Sequence, residues 1–416
     1  MESISARDRI ILRQLAKHKL ELHHTEANQR NLKDWMLHNT FKGERPMIHL
    51  ELGGFWNEVY PQRLKCEGTL ARSFEEQLWE GFINHELVGD DYPVTDYFYV
   101  QWRTWHTPFG IDVKVVNAVD EDGQDTLGFK IQHPIVDLKK DFYKLGPSYD
   151  ACDKAGTVEY AGAAADAFGD ILPVRIGTKA LFSVPTRCVV YLMDMESMLT
   201  SMYDYPDLFH AMMKRYAEDM IAYFRFMESN NITCPTTGAE YLGQGSWCYT
   251  DELPSTGVVT SRQMWGFLDS QETVGISPSM FEEMVFPYYK MIAGQYGLLS
   301  YGCCEPVHTF WENCLSKLDN LRKISISPWC NEEYMGAALR GKRIVYHRKP
   351  SSNYLGIDKT LDEGAFREHI RKTLKAARGC TLEITQRDVY TIHNDEEKAR
   401  RYVDIIREEI INHFKI

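Results

Sequence analysis

Residues 298–350 decide the fold, and they read LLSYGCCEPVHTFWENCLSKLDNLRKISISPWCNEEYMGAALRGKRIVYHRKP. Short apolar runs in this stretch alternate with longer amphipathic segments, which predicts β-strands alternating with helices. The predicted strands lie at 298–302, 323–327 and 343–347, with helices at 306–318 and 331–339 between them. Strands that alternate with helices pair in parallel through right-handed crossovers. The stretch therefore predicts an α/β fold around a parallel sheet.

The same alternation extends to both ends of the chain. Further strands are predicted at 47–52, 232–236 and 381–384, helices at 5–38, 206–227, 362–377 and 395–414, and an acidic turn at 120–123. This number of units favours a closed (β/α)8 TIM barrel, and a doubly wound open sheet is the alternative. We expect an N-terminal helical extension over 1–45 and one barrel domain over 46–416.

Composition excludes several classes of protein. The net charge is −12, which argues against sequence-independent binding of nucleic acid, because that requires a basic face. The polar residues 1–38 do not read as a signal peptide, and no apolar run approaches the ~18 residues of a membrane span. Ten cysteines in such a chain read as reduced thiols. We therefore expect a cytoplasmic protein, with a homodimer as one possible assembly.

Function in a parallel barrel concentrates where the strands end and the following loops begin. Thiol, imidazole and carboxylate groups follow several of the predicted strands, for example Cys303 and Glu305 after 298–302 and His347 after 343–346. Such a set suits zinc, which accepts all three ligand types. The alternative is that the cysteines pack as small apolar residues and that His347 is a satisfied rim histidine.

Part of this sequence resembles a known family. The motif YGCCEP at 301–306, followed by NLRK at 320–323 and SISPWC at 325–330, resembles the uroporphyrinogen decarboxylase superfamily and, within it, the corrinoid-linked methyltransferases. The resemblance implies a (β/α)8 barrel with a funnel-shaped site. It also implies transfer of a methyl group from a small methylated donor to the cobalamin cobalt of a partner corrinoid protein.

The sequence departs from the family pattern in two places. The arginine-rich turn that holds substrate carboxylates in the decarboxylases is replaced by LGGFW at 52–56, which argues against a porphyrinogen substrate. The His-x-Cys motif of the zinc methyltransferases is replaced by Tyr301-Gly302-Cys303, and their remote cysteine falls near Arg387-Asp388. Zinc is therefore a possible cofactor that would need other ligands.

The strand-end positions and the family resemblance together predict the following site residues. We expect catalytic roles for Tyr301, Glu305 and His347. The expected substrate-binding residues are Glu240, Tyr241, Gln271, Trp329, Trp56, Arg348 and Lys349. The candidate metal ligands are Cys303, Cys304, Cys330 and Asp388.

The function expected from this set is that of an O-demethylase component, which cleaves a methoxylated aromatic ether or a similar methyl donor. Two alternatives remain at this point. One is a decarboxylase-like lyase, in which Arg348 and Lys349 would bind a small carboxylated substrate. The other is a non-catalytic barrel that binds a ligand.

Overall fold

The structure is a computed structural model that describes residues 3–119 and 125–414, so the predicted turn at 120–123 lies outside the described residues. The strands of the described part are β1 (Met47–Leu50), β2 (Phe98–Gln101), β3 (Arg103–Thr107), β4 (Val115–Val119), β5 (Asp125–Ile131), β6 (Tyr149–Asp153), β7 (Val174–Gly177), β8 (Leu181–Ser183), β9 (Tyr241–Gly243), β10 (Ser246–Trp247), β11 (Trp265–Leu268), β12 (Leu298–Tyr301), β13 (Leu321–Ile326), β14 (Val345–Arg348) and β15 (Leu382–Gln386).

Helices surround these strands. They are α1 (Ala6–His23), α2 (Glu26–Asn39), α3 (Trp56–Val59), α4 (Thr69–Glu80), α5 (Ile83–Leu87), α6 (Leu138–Asp141), α7 (Lys154–Phe168), α8 (Pro185–Leu192), α9 (Met195–Asp204), α10 (Pro206–Ser229), α11 (Pro278–Met280), α12 (Phe286–Ala293), α13 (Glu332–Leu339), α14 (Asn353–Gly356), α15 (Glu363–Ala376) and α16 (Glu396–His413). Within the described ranges, none of these helices is both long enough and apolar enough to cross a bilayer.

Seven strands form the main sheet, in the order β1-β15-β14-β13-β12-β11-β8, and every pair is parallel. From β8 to β15 each strand lies beside its successor in this sheet, and β1 joins the last strand. A doubly wound sheet reverses its strand order at a switch point, whereas this sheet does not. The order is that of a barrel, so the predicted α/β, TIM-barrel-like class is confirmed.

A short hairpin connects the two edge strands of this sheet. It consists of the antiparallel strands β9 and β10. On the β8 side, the Ala180 amide donates to the Tyr241 carbonyl at 3.4 Å. On the β1 side, the Tyr241 hydroxyl donates to Glu51 Oε1 at 2.6 Å. The hairpin therefore lies between the edges of the sheet.

The tip of the hairpin also contacts the strands opposite. Ser246 Oγ accepts from Lys323 Nζ at 2.6 Å, and the Gly245 carbonyl accepts from Thr385 Oγ1 at 3.4 Å. Gly245 has φ +75°, and a Cβ there would lie 2.3 Å from Thr385 Cγ2. Only glycine combines this backbone conformation with so close an approach. The tip therefore fills the interior between β1, β13 and β15.

Charged side chains occupy the interior beneath the hairpin. Lys323 Nζ lies 2.7 Å from Glu383 Oε2, and both side chains are completely buried. His38 and His347 approach the same carboxylate at 3.4 and 3.5 Å. Burial opposes ionisation of Glu383, but the positive charge of Lys323 and the contacts of both histidines together outweigh it and hold the Glu383 pKa well below its usual range. A buried carboxylate therefore neutralises a buried ammonium inside the barrel.

The N-terminal helices pack against later parts of the chain. In α1, Leu12 and Ala16 join an apolar cluster with Phe74 of α4 and Phe168 of α7. In α2, Trp35 is fully buried beside the interior, with its ring 5.4 Å from Lys323 Nζ. The domain boundary between residues 45 and 46 stays a prediction.

Most of the predicted helices and strands are confirmed, including those at 206–227, 323–327, 343–347, 362–377, 381–384 and 395–414. Two predictions are wrong. The described residues 232–236 form no strand, and 306–318 contains only the 3₁₀ turns Val307–Phe310 and Leu315–Lys317 instead of a helix. In the second case tertiary packing overrides local propensity, because Phe310 stacks on Phe281 with the ring centroids 4.0 Å apart.

Candidate functional site

A cluster of ionisable side chains lies at the C-terminal ends of β11, β12 and β14. Its members are Asp269, directly after β11; Cys303, Cys304 and Glu305, after β12; and Lys349, directly after β14. Because parallel strands all end at the same edge, residues distant in the chain meet here. We call these five residues the mouth cluster.

Glu305 joins two loops of the mouth cluster. Its side chain is fully buried, Oε1 accepts the Ser270 amide, and Oε2 accepts the Cys303 amide, both at 2.9 Å. Burial raises the pKa of Glu305. This carboxyl group therefore positions the loops after β11 and β12 relative to each other.

Asp269 has a different environment. Its side chain is 4% exposed, and within the described residues Oδ1 is buried without a hydrogen-bond partner. Burial, and then the charge of nearby Glu305, raise the pKa of Asp269 well above its usual range. A raised pKa favours the protonated form, and the unpartnered Oδ1 makes this carboxyl group a candidate proton donor.

The two thiols of the mouth cluster hydrogen-bond to each other. Cys303 Sγ and Cys304 Sγ lie 3.5 Å apart. The hydrogen bond from Cys303 lowers the pKa of Cys304, and the same contact together with burial raises the pKa of Cys303. Because the thiolate is the reactive form of cysteine, Cys304 is the nucleophilic member of the pair.

Lys349 connects the mouth cluster to the hairpin. Its Nζ donates to Gln244 Oε1 at 2.6 Å and to the Gly302 carbonyl at 3.4 Å. The pKa of Lys349 is lowered, because the effect of burial exceeds the opposing effect of the nearby Cys303 thiol. The ammonium provides a fixed positive charge beside the thiols.

A second cation borders this site. Arg387, at the end of β15, has Nε 3.3 Å from Glu51 Oε2 and 3.4 Å from Asp388 Oδ1. In the described part of the chain, however, its buried Nε and Nη1 make no hydrogen bond of acceptable geometry. Tyr241 hydrogen-bonds to the other oxygen of Glu51. Arg387 therefore has donors available for an anionic group.

The candidate metal ligands do not form a metal site. Among the residues that the structure describes, no three His, Cys, Asp or Glu side chains lie in an arrangement that could hold an ion. Cys330 Sγ instead interacts with Ser327 Oγ at 3.7 Å and the Glu305 carbonyl at 3.8 Å. Asp388 influences the pKa of Cys304 only as a nearby charge. These donors do not fit zinc, so no chemical step below uses it.

Two of the three predicted catalytic residues border the mouth cluster but are not members of it. Tyr301 is completely buried, its hydroxyl is 2.6 Å from Ser270 Oγ, and its ring packs near Tyr289 of α12. His347 lies in the interior, with Nε2 2.8 Å from Thr385 Oγ1. Burial, assisted by the charges of nearby lysines, lowers the pKa of His347 to about 3, so its imidazole is neutral. Only Glu305 of the three belongs to the cluster.

Arg348 is committed to structural contacts. Its guanidinium bonds to Glu332 Oε1 at 2.9 Å and to the carbonyls of Ile326, Ser327 and Lys349. The side chain is 1% exposed. Neighbouring side chains on a strand face opposite sides, so Arg348 points away from the interior that Lys349 enters. It has little capacity left to bind a carboxylate.

The other predicted substrate-binding residues are dispersed. Gln271 donates to Glu272 Oε1 at 3.3 Å beside the mouth cluster. Glu240 lines a separate cavity with Tyr97, Tyr99 and Arg175, where Oε2 accepts the Gly238 amide at 2.7 Å. The structure therefore does not bring Glu240 to the thiols, because no strand forms at 232–236 to carry it there.

Exposed apolar side chains occur in the segments that follow five strands of the main sheet, β1, β11, β13, β14 and β15. They are Trp56 (43% exposed), Val274 (53%), Trp329 (66%), Ile357 (60%) and Tyr390 (59%). We call these five residues the apolar rim. Because parallel strands all end at the same edge, these segments leave the sheet at the end that carries the mouth cluster.

The site predicted from the sequence assigned no role to Asp269, Gln244 or Arg387. The only sequence signal for Asp269 is that it directly follows the short run Trp265-Gly266-Phe267-Leu268, which is a buried strand. The contact of Gln244 with Lys349 has no such signal, because it is made through the hairpin.

The chain has a remote structural likeness to a known protein but no match in sequence. No family model and no curated protein matches the sequence. Among solved structures, the chain is similar to a methyltransferase from Methanosarcina mazei, with 11% sequence identity and a TM-score of 0.49, over 91% of this chain and 98% of that chain. A likeness this remote carries no information about activity.

Proposed function

We propose that this protein is a methyltransferase that moves a methyl group from a methoxylated aromatic ether to the cobalt of a corrinoid protein. The observation that carries the proposal is Asp269, a buried carboxyl group with a raised pKa and a free oxygen at the barrel mouth. The sequence resemblance of residues 301–330 to corrinoid-linked methyltransferases supports the same class of reaction.

Ether cleavage requires a proton donor. The carbon–oxygen bond of the methoxy group breaks, the methyl group passes to reduced cobalt, and the electron pair stays on the oxygen. The corrinoid supplies the nucleophile, as cofactors carry the difficult chemistry in such reactions. The departing oxygen takes a proton from Asp269, and the demethylated phenol leaves. The ether and one proton would give the phenol and a methyl group that leaves without its bonding electrons. The reduced cobalt would supply both electrons of the new carbon–cobalt bond.

The neighbours of Asp269 support this role. Glu305 holds the loop after β11 through the Ser270 amide and adds a charge that keeps Asp269 protonated. Lys349 and Arg387 provide positive charge at the same mouth, and they stabilise negative charge that develops on the departing oxygen.

The apolar rim supports docking of a second protein. In the proposed reaction the corrinoid belongs to a partner protein, so it would approach the mouth cluster from outside. Apolar and aromatic side chains, among them Trp56 and Trp329, are typical of the centre of protein interfaces. We assign this end of the barrel to the corrinoid protein.

The test is to mix the purified protein with a reduced corrinoid protein and a panel of methoxylated aromatics, and to follow methylcobalamin absorbance. The expected result is methylcobalamin formation that depends on both the protein and the ether. Absence of methylation with ethers, methylamines and methanol alike would remove the proposal.

A further inference from the structure

A second cavity lies beside β8, outside the mouth cluster. Its volume is about 400 Å³, within the usual range for small-molecule sites. Strand β3, the segment after it, strand β8, α8 and α10 contribute its lining, which mixes aromatic, aliphatic and polar side chains and includes one acid, Asp112. The lining residues include His106, Phe182, Arg187, Tyr191, Tyr216 and Tyr223.

One wall of this cavity carries a histidine–aspartate pair. His106 Nδ1 lies 2.6 Å from Asp150 Oδ1, and the His106 side chain is 8% exposed. In the described chain, His106 Nε2 is buried and has no hydrogen-bond partner. The aspartate fixes one nitrogen of the ring, so the other is left oriented for a ligand. An unpaired buried polar atom costs free energy unless something binds it.

The cavity lining also carries a positive charge and an aromatic ring. The Arg187 guanidinium lies over the Phe182 ring, 5.7 Å from its centroid. Phe182 is 46% exposed although it stacks on buried Phe267. A guanidinium binds carboxylates in bidentate geometry, and an exposed ring face can stack on another ring.

We infer that this cavity binds a small aromatic carboxylate, with its carboxylate at Arg187, its ring against Phe182 and a ring hydroxyl at His106 Nε2. This ligand class satisfies all three features at once. An aliphatic acid would leave the exposed part of the Phe182 ring uncovered, and a neutral aromatic would bring no anion to Arg187. The inference concerns binding alone and does not depend on methyl transfer.

Isothermal titration calorimetry tests this inference with benzoate, the three hydroxybenzoates and the neutral benzamide. The expected result is saturable binding of at least one hydroxybenzoate, weaker binding of benzoate and no binding of benzamide. Arg187→Gln should weaken hydroxybenzoate binding about tenfold or more, which corresponds to one charge-assisted contact. Arg30→Gln, which removes an exposed arginine from α2, is the matched control and should leave binding unchanged.

A second variant tests the role of His106. His106→Asn keeps a side-chain nitrogen near Asp150 and removes Nε2, so it should abolish the preference for the hydroxybenzoate over benzoate while benzoate still binds. The inference is overturned if benzamide binds as well as the acids, or if Arg187→Gln binds as wild type does. It is also overturned if no acid binds at about 1 mM. Because no corrinoid protein is present, failure of methyl transfer does not affect these outcomes.

Discussion

Lys349 Nζ lies 2.6 Å from Gln244 Oε1. This contact joins the end of β14 to the tip of the β9–β10 hairpin, which is far away in sequence. The same ammonium lies near Cys303, Cys304 and Glu305 and influences the pKa of each. The position of the hairpin and the electrostatics of the mouth cluster are therefore linked through one side chain.

The hairpin tip depends on Gly245. We predict that Gly245→Ala destabilises the protein by about 1–3 kcal/mol, because the new Cβ would overlap Thr385 and the backbone has a positive φ. Chemical denaturation measures the change. Gly53→Ala is the matched control, since a Cβ there meets nothing within 4 Å. Equal stability of the two variants would contradict the placement of the tip.

The buried pair of Lys323 and Glu383 should be sensitive to loss of one partner. We predict that Glu383→Gln lowers the free energy of unfolding by about 3–5 kcal/mol, because an ammonium remains buried without its counter-charge. The double variant Lys323→Met with Glu383→Met should recover part of this loss.

The control for the buried pair is an exposed one, Lys42 with Asp251, at 3.3 Å and more than half exposed on both sides. Asp251→Asn should change the free energy of unfolding by less than about 1 kcal/mol. A comparable loss for the buried and the exposed pair would contradict the interior position of Glu383.

Cys304 should be more reactive than Cys188, which is also partly exposed. The hydrogen bond from Cys303 lowers the pKa of Cys304, whereas burial raises the pKa of Cys188 to about 12. We predict that iodoacetamide labels Cys304 before Cys188 at neutral pH, as read by mass spectrometry of peptides. Cys303→Ala should slow the labelling of Cys304. Faster labelling of Cys188 would refute this assignment.

Asp269 should make stability depend on pH in a defined direction. Its pKa is raised on folding, so the native state binds more protons than the unfolded chain, and this contribution to stability declines as pH rises toward the folded-state pKa. We predict that Asp269→Asn is more stable than wild type at alkaline pH and that the difference shrinks as the pH falls. Asp166→Asn, an exposed change on α7, should show no such trend.

The sequence predicted the periodic parts of the molecule and missed the irregular ones. The strands from 298 to 386 and the helices at 206–227 and 395–414 follow from local patterns, because each is an apolar run or stripe with clear ends. The contact between Gln244 and Lys349 could not be predicted, since it spans 105 residues and depends on how the hairpin enters the barrel. Tyr301 was assigned to the site because it stands where the resembled family has a histidine, but its ring packs near Tyr289 of α12.

The chemical role of a residue also depends on neighbours that are distant in the sequence. A cysteine at a strand end can be a ligand, a nucleophile or a packed side chain, and only its neighbours distinguish these roles. Cys330 packs against a carbonyl, while Cys304 has a thiol partner and a nearby ammonium. Asp269 was missed because its strand is only four residues long and contains Trp and Gly instead of a β-branched run.

The most direct test of the account is the rate of methylcobalamin formation under single-turnover conditions with wild type, Asp269→Asn and Glu283→Gln. Glu283 is an exposed carboxylate outside the mouth cluster and controls for loss of charge. The account predicts that Asp269→Asn transfers the methyl group at least about 10²-fold more slowly, because it lacks the proton donor, while Glu283→Gln matches wild type. An Asp269→Asn variant that is folded and as fast as wild type would contradict the account.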